Sequence, residues 1–415
     1  MGAYFDSFIS EKVVAFPGDV SSENLGVKDS KFREEMFNEI QIILSSAATT
    51  KFDSRYDIAL DVNTFGVLHV LSFAKKCSKL EMLVHVSTAY VSGERAGLIA
   101  EDLSSSLMDD IINNNFELRE KKVFEEKLNE VKAQGASEEI ITRTMKDLGI
   151  ERAKLYGWPN TYVFTKAIGE IFLHHSKDNL PLVVVRPPAV SSTHKEPFPG
   201  SIQGLRTIDS IIVGYGKGKL KCLLANPMLV FDMVIDMVVN SIISAIVVNA
   251  NQSSIHIYHV GSSFRNPIKF CDIQDIMFRY FTKFPWVTKD GKPIKVAKFR
   301  MLRTMASFRM YMQIRFMIPL QGLKFVNKAS CRYFKDIYAN YSRKLKLVMR
   351  MVELYKPYVL FKGIFEDTNS EELRRVTNES CIDAKEFNFD PRCIDWEDYI
   401  MNDHTPGLGK HVIVK

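Results

Sequence analysis

The chain has 415 residues, 46% of them hydrophobic and 25% charged, the make-up of a globular protein with room for two domains or one large α/β domain with an appendage. Six scattered cysteines (Cys77, Cys222, Cys271, Cys331, Cys381 and Cys393) form no CxxC pair, which argues against a zinc site or disulfide framework and suits a reducing compartment. The net charge of +6 hides a basic block, since residues 300–362 carry 14 Lys and Arg against Asp336 and Glu353 alone.

No secretory signal is expected, because residues 1–10 hold Asp6 and no apolar run. No spanning helix is expected either: the nearest apolar stretch, residues 237–250, is short and contains Asn240 and Asn249. In chain order, residues 13–16 read as a strand ending at Pro17-Gly18-Asp19, and residues 40–44 as a second, closing on Ser45-Ser46-Ala47-Ala48. A helix is predicted over residues 57–76 with Ile58, Val62, Phe65, His69 and Leu71 near one face. Residues 82–86 form the next buried strand, ending in Ser87-Thr88-Ala89-Tyr90. Charged helices over residues 101–154 then interrupt the rhythm. One carries Phe124, Leu128 and Val131 on a face; the next is predicted to start from Ser137 as N-cap and to end at Gly149. Residues 182–185 are a strand stopped by Arg186-Pro187-Pro188, followed by a glycine-rich loop at Gly214, Gly216 and Gly218 and a strand near residues 255–260. Residues 289–293 read as a turn, and a Met-, Phe- and Arg-rich segment over 301–320 leads into helical sequence to about Phe365. Strands alternating with helices predict a parallel sheet with functional groups at its carboxyl edge.

Tyr162 and Lys166 stand four apart, one helical turn, so both side chains share a face. A nearby ammonium favours the phenolate and lowers the tyrosine pKa, making it a usable general acid. The spacing alone is not specific, because Tyr215 with Lys219 and Tyr358 with Lys362 repeat it. The order Asn63, Ser87-Thr88, Tyr162, Lys166, each at a strand–helix junction, is what singles out the first pair as a proton-relay set. In the C-terminal segment, Met301, Met305, Met310, Met312 and Met317 with Phe308 and Phe316 suit either an acyl tunnel or an ordinary helical core. Arg303, Arg309 and Arg315 suit phosphates or anionic headgroups, or a solvated rim.

Longer strings add a resemblance. Pro17-Gly18-Asp19, Ala47-Ala48-Thr49-Thr50, His85-Val86-Ser87-Thr88-Ala89-Tyr90, Gly157-Trp158-Pro159-Asn160-Thr161-Tyr162, Glu196-Pro197-Phe198-Pro199-Gly200 and His404-Thr405-Pro406-Gly407 resemble alcohol-forming fatty acyl-CoA reductases of the plant, male-sterility-related type. The resemblance implies an extended short-chain dehydrogenase (Rossmann-like) domain over residues 1–290 with the insert at 101–154, and a smaller, mainly helical reductase domain over 300–415. It implies reduction of a long-chain fatty acyl-CoA to a primary alcohol through a bound aldehyde, using NADPH and no metal. By position, Tyr162 would protonate the carbonyl oxygen. Lys166 would tune the tyrosine and hold the nicotinamide ribose, Thr88 (or Ser87) would steady the oxygen, and Asn63 would help hold Lys166. Asp19 would lie near the adenine, Ala47 and Ala48 would allow close cofactor approach, and Arg186 with Pro187 would border the nicotinamide. The family also implies an intracellular setting, cytosolic or peripheral at the endoplasmic reticulum membrane. A nucleic-acid partner is not expected.

One family feature is missing. No Thr-Gly-x-x-Gly-x-x-Gly turn occurs among the 21 glycines, and that turn seats a pyrophosphate on a helix N-terminus. The sequence is expected to start at the family's third strand, N-terminally truncated by roughly 60–100 residues of βαβ structure. That would leave residues 13–16 without a pairing neighbour, unless they slide into the vacant central place, and would make NADPH binding weak or absent. The alternative function is then a catalytically inactive relative that binds acyl-CoA or pairs with a full-length reductase. A sterol- or flavonoid-reducing enzyme of the same superfamily fits less well, because Asp395-Trp396 and the His404–Gly407 region resemble the acyl-CoA reductases alone.

Overall fold

The computed structural model describes residues 3–103, 111–112, 115–205, 207–234, 236–329, 333, 335–380 and 385–410. Parts of the predicted insert (104–110 and 113–114) and of the long C-terminal helical stretch (330–332 and 334) lie outside the described residues.

Two short helices, α1 (Ala3–Lys12) and α2 (Ser30–Glu39), precede strand β1 (Ile42–Ser45). Helix α3 (Tyr56–Ala74) leads to β2 (Met82–Val86) and the short β3 (Gly97–Ile99). Helices α4 (Phe116–Ala133), α5 (Glu138–Leu155) and α6 (Thr161–Ser176) come before β4 (Leu182–Arg186). Then follow β5 (Ala189–Val190), α7 (Thr207–Gly216), β6 (Cys222–Leu224), β7 (Met233–Val234), α8 (Met237–Asn249) and β8 (Ile255–His259). The remainder holds α9 (Phe270–Lys283), β9 (Arg300–Leu302), α10 (Met305–Met312), α11 (Ile318–Ala329), α12 (Lys335–Val359), β10 (Gly363–Phe365) and α13 (Thr368–Ser380).

The main sheet runs β1-β2-β4-β8, every neighbouring pair parallel, with Leu44 beside Val84, Val84 beside Val183 and Val183 beside His256. Four strands in sequence order, with helices in the crossovers, form an α/β sheet of the Rossmann type. β2 and β4 are central and almost wholly buried, which is why residues 82–84 and 182–185 read as apolar runs. Three two-stranded parallel pairs, β3–β10, β5–β7 and β6–β9, stitch the later chain to the sheet domain. The largest core cluster joins both parts, with Val183 and Met277 packed in one body with Phe308, Leu373 and Trp396.

Several expectations are corrected. Residues 13–16 are not a strand: Val14 is 83% exposed, and the open sheet edge falls instead on β1, whose Ile42 and Leu44 are exposed. Helix α3 buries Tyr56, Leu60, Asn63, Val67 and Val70, at three- to four-residue steps, and leaves Ile58 exposed on the other side, so the buried stripe is not the expected one. This helix is long and apolar enough to cross a membrane, but two-thirds of that stretch lies inside the fold. α5 runs through Gly149 to Leu155; Gly149 is there for close packing, since a Cβ would strike the Thr161 side chain. Ser137 has N-cap backbone angles, but its hydroxyl makes no capping bond. Gly214 and Gly216 end helix α7 and only Gly218, at φ +65°, makes a turn. The Phe124, Leu128 and Val131 face packs inward as predicted, and Gly291 turns the chain at φ +73° within the predicted 289–293 turn.

The contact between α3 and α6 supplies a test. Gly169 of α6 lies so close to α3 that a Cβ would collide with the Asn63 carbonyl oxygen. Gly169→Ala, which in an unconstrained helix would stabilise by up to about 1 kcal/mol, is expected here to destabilise by about 1–3 kcal/mol. Urea unfolding midpoints measure it; a variant more stable than the parent would refute the contact.

Candidate active site

Helix α6 starts at Asn160, whose extended backbone lets its Oδ1 accept the Val163 N–H at 3.1 Å. The same side chain donates from Nδ2 to the Tyr358 hydroxyl of α12 at 2.7 Å, so the start of α6 is tied to the C-terminal helices. Tyr162, Lys166 and Glu170 then follow at four-residue steps along one face. That face looks at the carboxyl ends of β2 and β4.

Tyr162 faces the Thr88 hydroxyl in one cavity and stacks on Phe52 at 6.1 Å between ring centroids. Burial pushes its phenol up to about 12, with the neighbouring Thr88 hydroxyl pulling the other way. The expected lowering by Lys166 is therefore not present. Lys166 Nζ instead donates to the Val86 carbonyl at 2.7 Å and meets His85 Nε2 at 3.2 Å. Spacing put the two side chains on one face; the free carbonyl at the end of β2 decides where the ammonium points. Burial pulls Lys166 down to about 8, offset in part by Glu170. Burial, and then Lys166, hold His85 well below its usual range, so its ring is neutral; Nε2 accepts from the ammonium, and Nδ1 faces Ser45 Oγ at 3.4 Å.

Thr88 and Ser87 separate cleanly. Thr88 caps the short turn after β2, donates to the Pro187 carbonyl at 3.3 Å and faces the same cavity as Tyr162. Ser87 donates to Glu170 Oε2 at 2.5 Å and is committed to that carboxylate. Glu170 in turn pairs with Arg186, which also donates to the Asp102 carbonyl at 2.9 Å and lies 3.3 Å from His259 Nε2. Arg186 is thus a buried strut at the strand ends, and Pro187 contributes its carbonyl to Thr88 and to the Ala89 N–H.

Asn63 is buried but does not hold Lys166. It accepts from Thr49 N–H at 2.9 Å and donates to the Thr49 carbonyl at 3.1 Å and Thr165 Oγ1 at 3.0 Å. It thereby pins the loop after β1, which carries exposed Ala47 and half-buried Ala48, against α6. Asp19 stands apart on the loop before α2, exposed, accepting from Ser21 N–H at 2.9 Å and Ser21 Oγ at 2.7 Å.

In front of Thr88 and Tyr162 lies a cavity of about 510 Å³, walled by Phe52, Tyr90 and Phe231 and roofed by Met351, Leu354 and Tyr358 of α12. Its size is that of a small-molecule site. Sequence reasoning missed Glu170, though it sits one turn beyond Lys166, and Tyr358, whose Tyr–Lys spacing was no guide. Lys166 spends two of its three N–H donors on protein and has one left for a sugar hydroxyl, and Ala47 and Ala48 present backbone without bulk. Both fit a dinucleotide lying along the strand ends.

Comparison with known proteins gives the family of the chain. The family models described as "Male sterility protein" match residues 2–242, as an NAD-binding domain, and residues 315–415, as the Sterile domain. The alcohol-forming fatty acyl-CoA reductase of Simmondsia chinensis is 47% identical over 419 residues, covering 100% of this chain and 85% of the relative. Probable fatty acyl-CoA reductase 4 of Arabidopsis thaliana is 51% identical over 415 residues, covering 99% and 84%. Among solved structures, the terminal R domain of the myxalamid PKS-NRPS pathway superposes with a TM-score of 0.56 at 15% identity, over 99% of this chain and 78% of that one, a likeness of fold. The chain belongs to the male sterility protein family, that of the alcohol-forming fatty acyl-CoA reductases.

Proposed function

We propose that this protein reduces a long-chain fatty acyl-CoA to a primary alcohol with NADPH, through an aldehyde retained in the cavity. The observation that carries the reading is the Thr88–Tyr162 hydroxyl pair facing a cavity of about 510 Å³ with largely apolar walls. Bound NADPH would supply one hydride to the acyl carbon in each of two rounds. Tyr162, held protonated by burial, donates its proton to the carbonyl oxygen as that oxygen gains charge. Thr88 would turn its single proton from the Pro187 carbonyl to the same oxygen. After the first round the hemithioacetal hydroxyl returns its proton to the Tyr162 tyrosinate, the carbonyl re-forms, and the carbon–sulfur bond breaks with CoA leaving as its thiolate. The aldehyde stays against Phe52 and Tyr90, and with a second NADPH in place of the spent cofactor the reprotonated Tyr162 completes the second round. Lys166 would hold the ribose with its remaining donor. In this reading Asp19 lies toward the adenine, and Ala47, Ala48, Arg186 and Pro187 lie along the cofactor's path. The basic block near α10–α12 favours peripheral contact with an anionic membrane such as the endoplasmic reticulum.

A second reading is an acyl-CoA-binding relative without turnover, or a partner of an intact reductase. It is favoured by Lys166 bonding Val86 and His85 while the Tyr162 phenol stays at about 12.

Tyr162→Phe separates the two. Alcohol formation from palmitoyl-CoA and NADPH is expected to fall at least about 100-fold with acyl-CoA affinity unchanged; undiminished turnover would remove Tyr162 from the mechanism, and a parent with no turnover would leave the second reading standing.

The pH dependence is equally specific. Lys166 loses its proton as pH rises through about 8, far below the Tyr162 value of about 12. Turnover is expected to fall on the alkaline side with a limb near pH 8, and Lys166→Arg, which keeps its charge, should remove that limb even if slower overall. A parent profile flat between about pH 7 and about pH 10 would contradict the assignment.

A further inference from the structure

The Met- and Phe-rich segment over 301–320 does not reach the catalytic cavity. Among its residues, Phe308, Met312 and Phe316 line a second cavity of about 580 Å³, and Met310 points to solvent. The opposite wall is α12, through Leu345, Val348 and Val352. Catalytic-cavity residues Met351, Leu354 and Tyr358 lie on a neighbouring face of the same helix, about a quarter-turn round. One helix therefore separates two apolar chambers that share no lining residue.

The second chamber has a charged mouth. Lys219, Lys221, Arg315 and Lys344 stand at its rim, and no ion pair neutralises them among the described residues. Within the basic block Arg309 pairs with Glu353 and Arg350 with Asp53, while Arg343, Lys346 and most of its other cations also carry no ion pair among the described residues. The apolar cavity thus opens onto a broadly positive surface. Phe316, Tyr341 and Val348 are exposed at that opening, an arrangement that monomeric surfaces seldom keep without an occupant.

We propose that this chamber is a second, non-catalytic binding site for a long-chain acyl amphiphile, its hydrocarbon tail between α10 and α12 and its anionic head on the lysine and arginine rim. Apolar lining, a volume inside the roughly 300–1,000 Å³ range of ligand sites, and an unneutralised cationic mouth select one chemistry together: a single hydrocarbon chain ending in negative charge. The proposal does not depend on the reductase reading, since none of its residues takes part in that reaction.

The probe is cis-parinaric acid, a fluorescent 18-carbon carboxylate, titrated into the full chain without cofactor. A saturable site is expected that Leu345→Trp, which fills the chamber, removes, and that Leu354→Trp, in the catalytic cavity, keeps. Arg315→Glu with Lys344→Glu, both exposed and foldable, should weaken that site at least tenfold, and the methyl ester of the probe should bind at least tenfold more weakly than the acid. Displacement by palmitate or by palmitoyl-CoA then tells which head the rim prefers. Loss of binding in Leu354→Trp but not Leu345→Trp would place the chain in the catalytic cavity alone and overturn the proposal. So would unchanged probe binding in both the filled and the charge-reversed variants. If those variants instead lose sedimentation with anionic phosphatidylserine vesicles while probe binding persists, the face is a membrane surface and the proposal is wrong.

Discussion

The arrangement depends on one buried ion pair, Glu170 with Arg186. Both side chains are almost completely buried, and the carboxylate also accepts from Ser87 at the end of β2. Removing one partner of such a pair leaves an uncompensated buried charge, a loss of about 3–5 kcal/mol. The pair therefore acts as a register pin. It fixes α6 in rotation and height against the ends of β2 and β4, and every group of the candidate site is set by that placement. Lys166, one turn earlier, then meets the Val86 carbonyl; Tyr162, one turn earlier again, meets Thr88.

A second constraint closes the site from the other side. Asn160 both caps α6 and donates to Tyr358, and Tyr358 stacks on Phe52 at 4.6 Å while its edge meets Tyr90 at 4.8 Å. The C-terminal helices are thereby part of the cavity wall. The shared core, in which Phe308 and Trp396 pack with Val183, ties the reductase sheet to the Sterile region as one packed body. It also makes α12 a common partition between two chambers.

Much of this was legible in the sequence, for definite reasons. β2 and β4 are buried on both faces, so their apolar runs were unmistakable, and the Thr88 and Tyr162 positions followed from strand ends and helix starts. The residues 13–16 run failed because four apolar residues carry no partner information, and here they lie exposed. Ile58 was placed on the wrong face because this helix is apolar on more than one side, so periodicity alone did not pick the stripe of Tyr56, Leu60, Asn63 and Val67 that is buried. Gly149 and Gly169 read as breaks or blanks, whereas both are points of close helix contact. The Lys166 partners were out of reach because a backbone carbonyl has no sequence signature, and the Asn160–Tyr358 bond spans 198 positions.

The cofactor is where sequence and structure pull in different directions. The glycine-rich pyrophosphate turn is not in this sequence, yet Lys166, the Asn63-pinned loop and the cavity are arranged as a dinucleotide reductase needs them. Titration of the purified chain with NADPH, followed by nicotinamide fluorescence, tests this directly. Weak but saturable binding that Lys166→Met lowers at least tenfold is the expected result. Folded, soluble protein showing no saturable binding would contradict the reductase reading.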